Sequence, residues 1–262
     1  MPVSIWTRCK GKSNCSNLTG IVCRATYPSA SASTRALVDT DEEQDRLDGM
    51  IDRAAAERRA LPPGPQYATL HPLLYEPFRF PPLRTGTRFG TSQEQNLWYG
   101  AEEPRTALAE LAYYRLVFLW GSDGIREFET PDKTIFMVFQ AYVNSSAAID
   151  LSAPAFRAHI KKICSPLTYK HSQPLGTAMR ADDIHVVRYP SARDPAKGMK
   201  VGLFTPEAFG APLPLEQEMW WCTVTPAADI ELRNEEVAPL SFPRGTFLVK
   251  GALPTPCFSG GS

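Results

Sequence analysis

Between Ala107 and Trp120 only Glu110 and Arg115 are charged, and every other position is apolar or tyrosine. Pro104 follows Glu102 and Glu103 and opens the segment, putting proline in a first helical turn with acid at the positive end of the helix dipole. The pattern predicts a helix that is apolar almost all round, and such a helix is stable only in a membrane or inside a protein core. Length rules out the membrane. A spanning helix needs roughly 20 apolar residues, and the longest apolar runs here, Leu116–Trp120 and Ile135–Phe139, fall far short. Other elements must therefore wrap this helix. A chain of 262 residues, 43% hydrophobic, has enough apolar material to do so without disulfide or metal staples.

The rest of the chain supplies those elements. Strands are expected at Thr134–Val143, His185–Tyr189, Lys200–Phe204, Trp220–Val224, Ile230–Leu232 and Thr246–Lys250, where β-branched and aromatic residues concentrate. A helix is expected at Ala153–Cys164, and loop with short strand through the proline-punctuated stretch His71–Gly90. Many strands around few helices predict an α+β fold with a mixed or antiparallel sheet. Residues 1–33 are rich in Ser, Thr, Cys and Gly and read as an irregular arm. An amphipathic helix follows at Thr40–Arg59, with a Thr40/Glu43 capping box and Leu47, Met50, Ile51 and Ala54 at helical spacing. Pro62 and Pro63 end it. The expected units are thus an N-terminal arm and helix over 1–65, a main domain over 66–250 and a tail over 251–262.

Composition removes several functions. Lys plus Arg total 28 and Asp plus Glu total 28, so no overall charge draws the chain to a nucleic-acid backbone or an anionic membrane. The sequence holds no GxGxxG, P-loop, HExxH or EF-hand pattern. Cys9, Cys15 and Cys23 crowd one segment, yet there is no CxxC pair and no nearby histidine, which argues against a metal site. Met1–Lys12 has basic residues without the apolar stretch of a secretory signal, so a cytoplasmic location and reduced thiols are expected.

The chemistry-bearing candidates begin with Glu110. Its neighbours at helical spacing, Thr106, Ala107, Tyr113 and Tyr114, carry no charge, so a partner must come from elsewhere in the fold. A buried ion pair and a cleft carboxylate both satisfy that requirement. Arg79 and Arg88 stand between aromatic residues in FRF and TRFG; each suits bidentate binding of phosphate, or lies on the surface with its stem against a ring. Tyr99, on a short strand just before the helix, offers a ring for stacking on a heterocycle or for the core. Ser191 follows a strand in VVRYPSARDP, with no GxSxG elbow around it; it reads as a binding hydroxyl or as a turn opener.

Taken in order, FRFPPLRTGTRFG, LWYGAEEPRTALAEL and VVRYPSARDPAKGMKVGLF resemble the RES domain family over roughly residues 70–210. The resemblance implies a fold like that of ADP-ribosyltransferase toxins and an NAD-consuming toxin paired with an Xre-type antitoxin. Carried over residue by residue, Arg88, Tyr99, Glu110 and Ser191 match the family's arginine, tyrosine, glutamate and serine, and Arg79 an earlier arginine. Arg88 and Arg79 would hold the pyrophosphate or an attacking phosphate, Tyr99 would stack on nicotinamide or ribose, Glu110 would face the reacting ribose, and Ser191 would orient substrate. No cofactor beyond NAD as substrate is implied, with inorganic phosphate as a candidate co-substrate. The acceptor stays open: phosphate gives ADP-ribose 1″-phosphate, water gives ADP-ribose, and a protein side chain gives a mono-ADP-ribosylated target. A non-catalytic module binding a nucleotide or a partner is the alternative of a different class. A homodimer is a candidate assembly.

Overall fold

The computed structural model describes residues 4–28, 65–79, 84–121 and 130–256. The expected helix at Thr40–Arg59 and its proline stop lie outside them. Among the described residues eight strands form one sheet: β1 (Ser16–Thr26), β2 (Trp98–Ala101), β3 (Asp132–Asp150), β4 (Val186–Pro190), β5 (Met199–Leu203), β6 (Gln217–Val224), β7 (Ile230–Arg233) and β8 (Leu240–Phe242). Their order is β1-β2-β5-β4-β3-β6-β7-β8, and β1 pairs with β3 as well as β2, so the first five close into a ring. Every pairing is antiparallel except β3 with β4. The α+β class with a mixed, mainly antiparallel sheet is the architecture expected from sequence.

Side-chain alternation sorts each strand between two faces. After a first short helix, α1 (Ile5–Arg8), α2 (Pro72–Arg79) places Leu74, Tyr75 and Phe78 over one apolar cluster, to which Val22, Trp98, Phe139, Ala141, Val186, Val201 and Leu203 turn. On the opposite face, α3 (Pro104–Gly121) packs Ala107, Leu108, Ala112, Tyr113 and Leu116 against Cys23, Phe136, Val138, Trp220 and Cys222. This is the apolar helix anticipated from Ala107–Trp120. A third cluster gathers Phe89, Ile149, Phe156, Leu175, Met179, Val187 and Tyr189.

Several elements differ from expectation, each for a physical reason. The supposed irregular arm contains β1, whose Val22 and Cys23 point to opposite buried faces while Ser and Thr occupy its outer positions. Polar outer residues had masked the strand period. The stretch expected as loop contains α2, with Pro72 at the first turn and a second proline, Pro77, inside it. Ala153–Cys164 is a 3-10 segment, Pro154–His159, followed by one α-turn, α4 (Ile160–Ile163). An unanticipated helix, α5 (Ser172–Ala181), tolerates Pro174 in its first turn, where no amide donor is needed. Its Gly176 lies so close to the loop of Phe89 that an added Cβ would stand 2.0 Å from that residue's carbonyl oxygen. Arg244–Phe247 is a 3-10 turn rather than a strand, and the last strand lies earlier, at Leu240–Phe242.

Because β1 joins β2 to β3, it cannot be removed without opening the ring and exposing both buried faces. A chain beginning at residue 29 is expected to lose its cooperative thermal transition by circular dichroism; a wild-type melting curve for that truncation would show that the arm is dispensable.

Candidate active site

The site lies where β2, β4 and β5 meet the middle of α3. In β5, Lys200 stands in register with Ala101 of β2 and Tyr189 of β4, and Gly202 with Tyr99. Alternation therefore directs Tyr99, Tyr189 and Lys200 to one face of the sheet. Gly202 makes room for the Tyr99 ring: a Cβ there would stand 3.2 Å from the ring's Cε1 and 3.0 Å from Val187 Cγ1. Two turns into α3, Glu110 faces the same space. A cavity of about 110 Å³ opens between them, walled also by Arg88, Thr87, Tyr114 and Tyr169.

The loop carrying Arg88 is held from three sides. Gly86 has φ +69, and an added Cβ would stand 2.2 Å from Gly90 O, so the turn needs glycine there. Thr87 N donates to Gly90 O at 2.7 Å. Gln173 of α5 donates through Nε2 to the carbonyls of Thr85 and Thr87, at 2.7 and 3.1 Å. The Tyr99 hydroxyl completes the clamp, accepting from Phe89 N at 3.2 Å and bonding Thr87 Oγ1 at 3.0 Å. Tyr99 thus fixes the turn that presents Arg88 as well as forming the cavity wall. Burial pushes its phenol up to about 12, so it stays a neutral group at physiological pH.

Arg88 is itself 7% exposed. Its Nη1 donates to Ile163 O and Ser165 O at 3.1 and 2.9 Å, and the guanidinium lies 5.1 Å from the Tyr169 ring centroid. Burial would lower the guanidinium, but Tyr169, Tyr189 and Glu110 together hold it above the ordinary arginine value. It is a permanent cation on a fixed mount.

Glu110 finds the partner that its own helix lacks in Lys200, whose Nζ stands 3.5 Å from Glu110 Oε2. The lysine side chain is 7% exposed and the glutamate 23%, so the pair sits at the base of the cavity with the carboxylate still reachable. Burial drives the Glu110 carboxyl up, yet Lys200, Arg193 and Arg88 outweigh it and hold the group below the ordinary carboxylate range. At neutral pH this is an ionised carboxylate among aromatic walls, where weak solvent screening strengthens its effect on any charge nearby.

Ser191 and Arg79 stand elsewhere. Ser191 is buried, and its Oγ accepts from the backbone amides of Arg193 and Asp194 at 3.1 and 3.0 Å, the bonds of a hydroxyl that opens a turn. That turn fastens to α3: Thr106 Oγ1 donates to Asp194 Oδ2 at 2.8 Å, and Gly198 leaves the space that Thr106 occupies. It also sets the Arg193 guanidinium 3.7 Å from the Tyr113 ring centroid, one turn along α3 from Glu110. Arg79 ends α2 with its guanidinium 5.8 Å from the Tyr75 ring and does not line the cavity. The structure therefore gathers Arg88, Tyr99 and Glu110, adds Lys200, Tyr169 and Tyr189, and keeps Ser191 and Arg79 off the cavity wall. Lys200 had a legible signal: a lysine inside an apolar strand raises the same question as a glutamate inside an apolar helix. Tyr169 had none, since its loop is irregular.

Among the described residues no group of three or more His, Cys, Asp or Glu is placed to hold a metal ion, and no helix is long and apolar enough to cross a membrane. Cys9 and Cys23 are free thiols in separate apolar clusters.

Replacing Ser191 by alanine strands two buried amides, so Ser191→Ala should lower unfolding stability by about 2 kcal/mol. Denaturant titration checks it. A variant of unchanged stability that binds substrate poorly would instead show that the hydroxyl touches the ligand.

No curated protein matches the chain. Among solved structures, a chain of the M. tuberculosis MbcT-MbcA toxin-antitoxin complex superposes with a TM-score of 0.46 and 12% identity, covering 85% of this chain and 93% of that one. The model of the RES domain matches residues 56–224, which include Arg79, Arg88, Tyr99, Glu110, Ser191 and Lys200. By this match, over more than half its length, the chain belongs to the RES domain family.

Proposed function

We propose that the protein is the NAD-degrading toxin of a toxin–antitoxin pair, cleaving the bond between nicotinamide and ribose. The reading is carried by Glu110: a carboxylate held ionised at the base of a small cavity walled by tyrosines, with a fixed guanidinium opposite. Membership of the RES domain family supports the substrate class.

The chemistry follows from what those groups offer. A cavity of about 110 Å³ takes a ring-sized group, whereas whole ligands of drug size fill roughly 300–1,000 Å³. The nicotinamide end enters and the remainder of the dinucleotide extends outward. Tyr99, Tyr169 and Tyr189 supply faces and edges for the ring. When the glycosidic bond breaks, its electron pair leaves with nicotinamide, which departs neutral, and positive charge builds on the ribose. Glu110 stabilises that cation and accepts hydrogen bonds from the ribose hydroxyls, as carboxylates do in glycoside hydrolysis. Arg88 binds an anionic oxygen of the pyrophosphate or of an attacking phosphate. Phosphate adds to the ribose to give ADP-ribose 1″-phosphate; water adds with loss of a proton to give ADP-ribose. Phosphorolysis or hydrolysis is preferred over transfer to a protein, because no target-binding loop is identifiable from the sequence. No cofactor beyond NAD is needed. An Xre-type antitoxin is the expected partner, the cytoplasm the expected location, and nucleic acid plays no direct part.

The test is to incubate the purified chain with NAD, with and without inorganic phosphate, and identify products by mass spectrometry. Free nicotinamide is expected in the presence of phosphate, joined by ADP-ribose 1″-phosphate for phosphorolysis or ADP-ribose for hydrolysis. Intact NAD in both samples would contradict the reading. Consumption only after adding cellular protein would shift it to ADP-ribosyl transfer. Arg88→Ala is expected to raise KM for NAD or phosphate at least about tenfold, since a charge-assisted contact is lost.

A further inference from the structure

Bond cleavage at this site needs Glu110 both ionised and aimed, and α3 supplies neither. Three other elements bring cations toward it: Arg88 on the loop after α2, Arg193 on the loop after β4, and Lys200 on β5. Arg88 directs its Nη1 to the carbonyls of Ile163 and Ser165. Arg193 lies on the Tyr113 ring and donates through Nη2 to Pro166 O at 3.1 Å. Lys200 alone among the described residues makes an ion-pair contact with Glu110, and its mount is rigid. Strands β2 and β4 flank its backbone on both sides, and its side chain is 7% exposed.

We infer that Lys200 is the positioning residue of the site, pinning the Glu110 carboxylate from the sheet so that its ionised oxygens are presented to the ribose. This rests on the proposed NAD cleavage. The Lys200 Nζ meets the carboxylate 3.5 Å from Oε2, a single ammonium contact that holds the group ionised and leaves most of its roughly four lone-pair sites open. Acceptor capacity is left for ribose hydroxyls. The remaining charged and titratable groups around the pair fit this role. Arg24 of β1 bears on Lys200; Tyr189 of β4 and Tyr99 of β2 are buried phenols held neutral; Tyr169 and Tyr114 close the wall. Burial lowers the Lys200 ammonium and Glu110 opposes that, so each member keeps the other charged. Because the carboxyl is held low, its charge is present above the ordinary carboxylate range and is lost only as pH falls through the depressed value.

Two variants test the inference. Lys200→Met removes the charge and keeps an unbranched stem; Lys200→Arg keeps the charge. In the full-length chain with 13C-carboxyl-labelled glutamate, the Glu110 resonance should titrate at higher pH in Lys200→Met than in wild type, and stay low in Lys200→Arg. This readout requires no turnover. In kinetics, Lys200→Met should lose about tenfold or more in kcat at pH 7, with the NAD dissociation constant changed less than about threefold and the acid limb of kcat moved to higher pH. Lys200→Arg should recover most of the loss. An unmoved Glu110 midpoint, or an unmoved acid limb with wild-type kcat, in a Lys200→Met protein that melts like wild type would overturn the inference. If wild type leaves NAD intact while the midpoint moves as expected, the proposed reaction fails and the pairing of Lys200 with Glu110 stands.

Discussion

A carboxylate on a helix that is apolar almost all round is tolerated only if the fold brings a cation to it, and here that cation is Lys200 from the sheet. The rest of the site depends on this crossing of α3 over β5. It fixes the depth at which Glu110 sits, covers the sheet face to which alternation turns Tyr99 and Tyr189, and leaves a ring-sized cavity between them. A paired carboxylate in such a place is ordinarily a structural device. What distinguishes this one is that the pair ends at a cavity and the carboxylate keeps part of its surface open.

Much of the architecture was legible from local pattern. The composition of Ala107–Trp120 forces a buried helix, and β-branched runs mark β3 to β7. The pattern failed where tertiary contacts decide. β1 offers only one short apolar run, Ile21–Cys23, and its long pairing with β3 carries it into the sheet despite polar outer residues. Residues 172–181 hold a proline, a glycine and a threonine, yet fold as α5. Gly176 permits the close approach to the Phe89 loop, and Gln173 anchors the loop of Arg88.

The site shows the same division. Glu110 declares itself as a charge without a neighbour, and Arg88 and Tyr99 as members of spaced motifs. Their joint use was not readable, since the clamp from the Tyr99 hydroxyl to the Arg88 turn joins residues from two segments through a fold-dependent contact. Ser191 and Arg193 belong together for a similar reason: one orders the turn that sets the other beside α3. A residue inside a family motif can thus shape the site through the backbone it orders.

In the proposed reaction the charge of Glu110 stabilises the reacting ribose, and the sharpest test is NAD turnover by Glu110→Gln, which keeps size and hydrogen bonding but removes the charge. A fall in kcat of about a hundredfold or more is expected, with NAD binding changed only a few-fold. Wild-type turnover by a folded Glu110→Gln protein would contradict it.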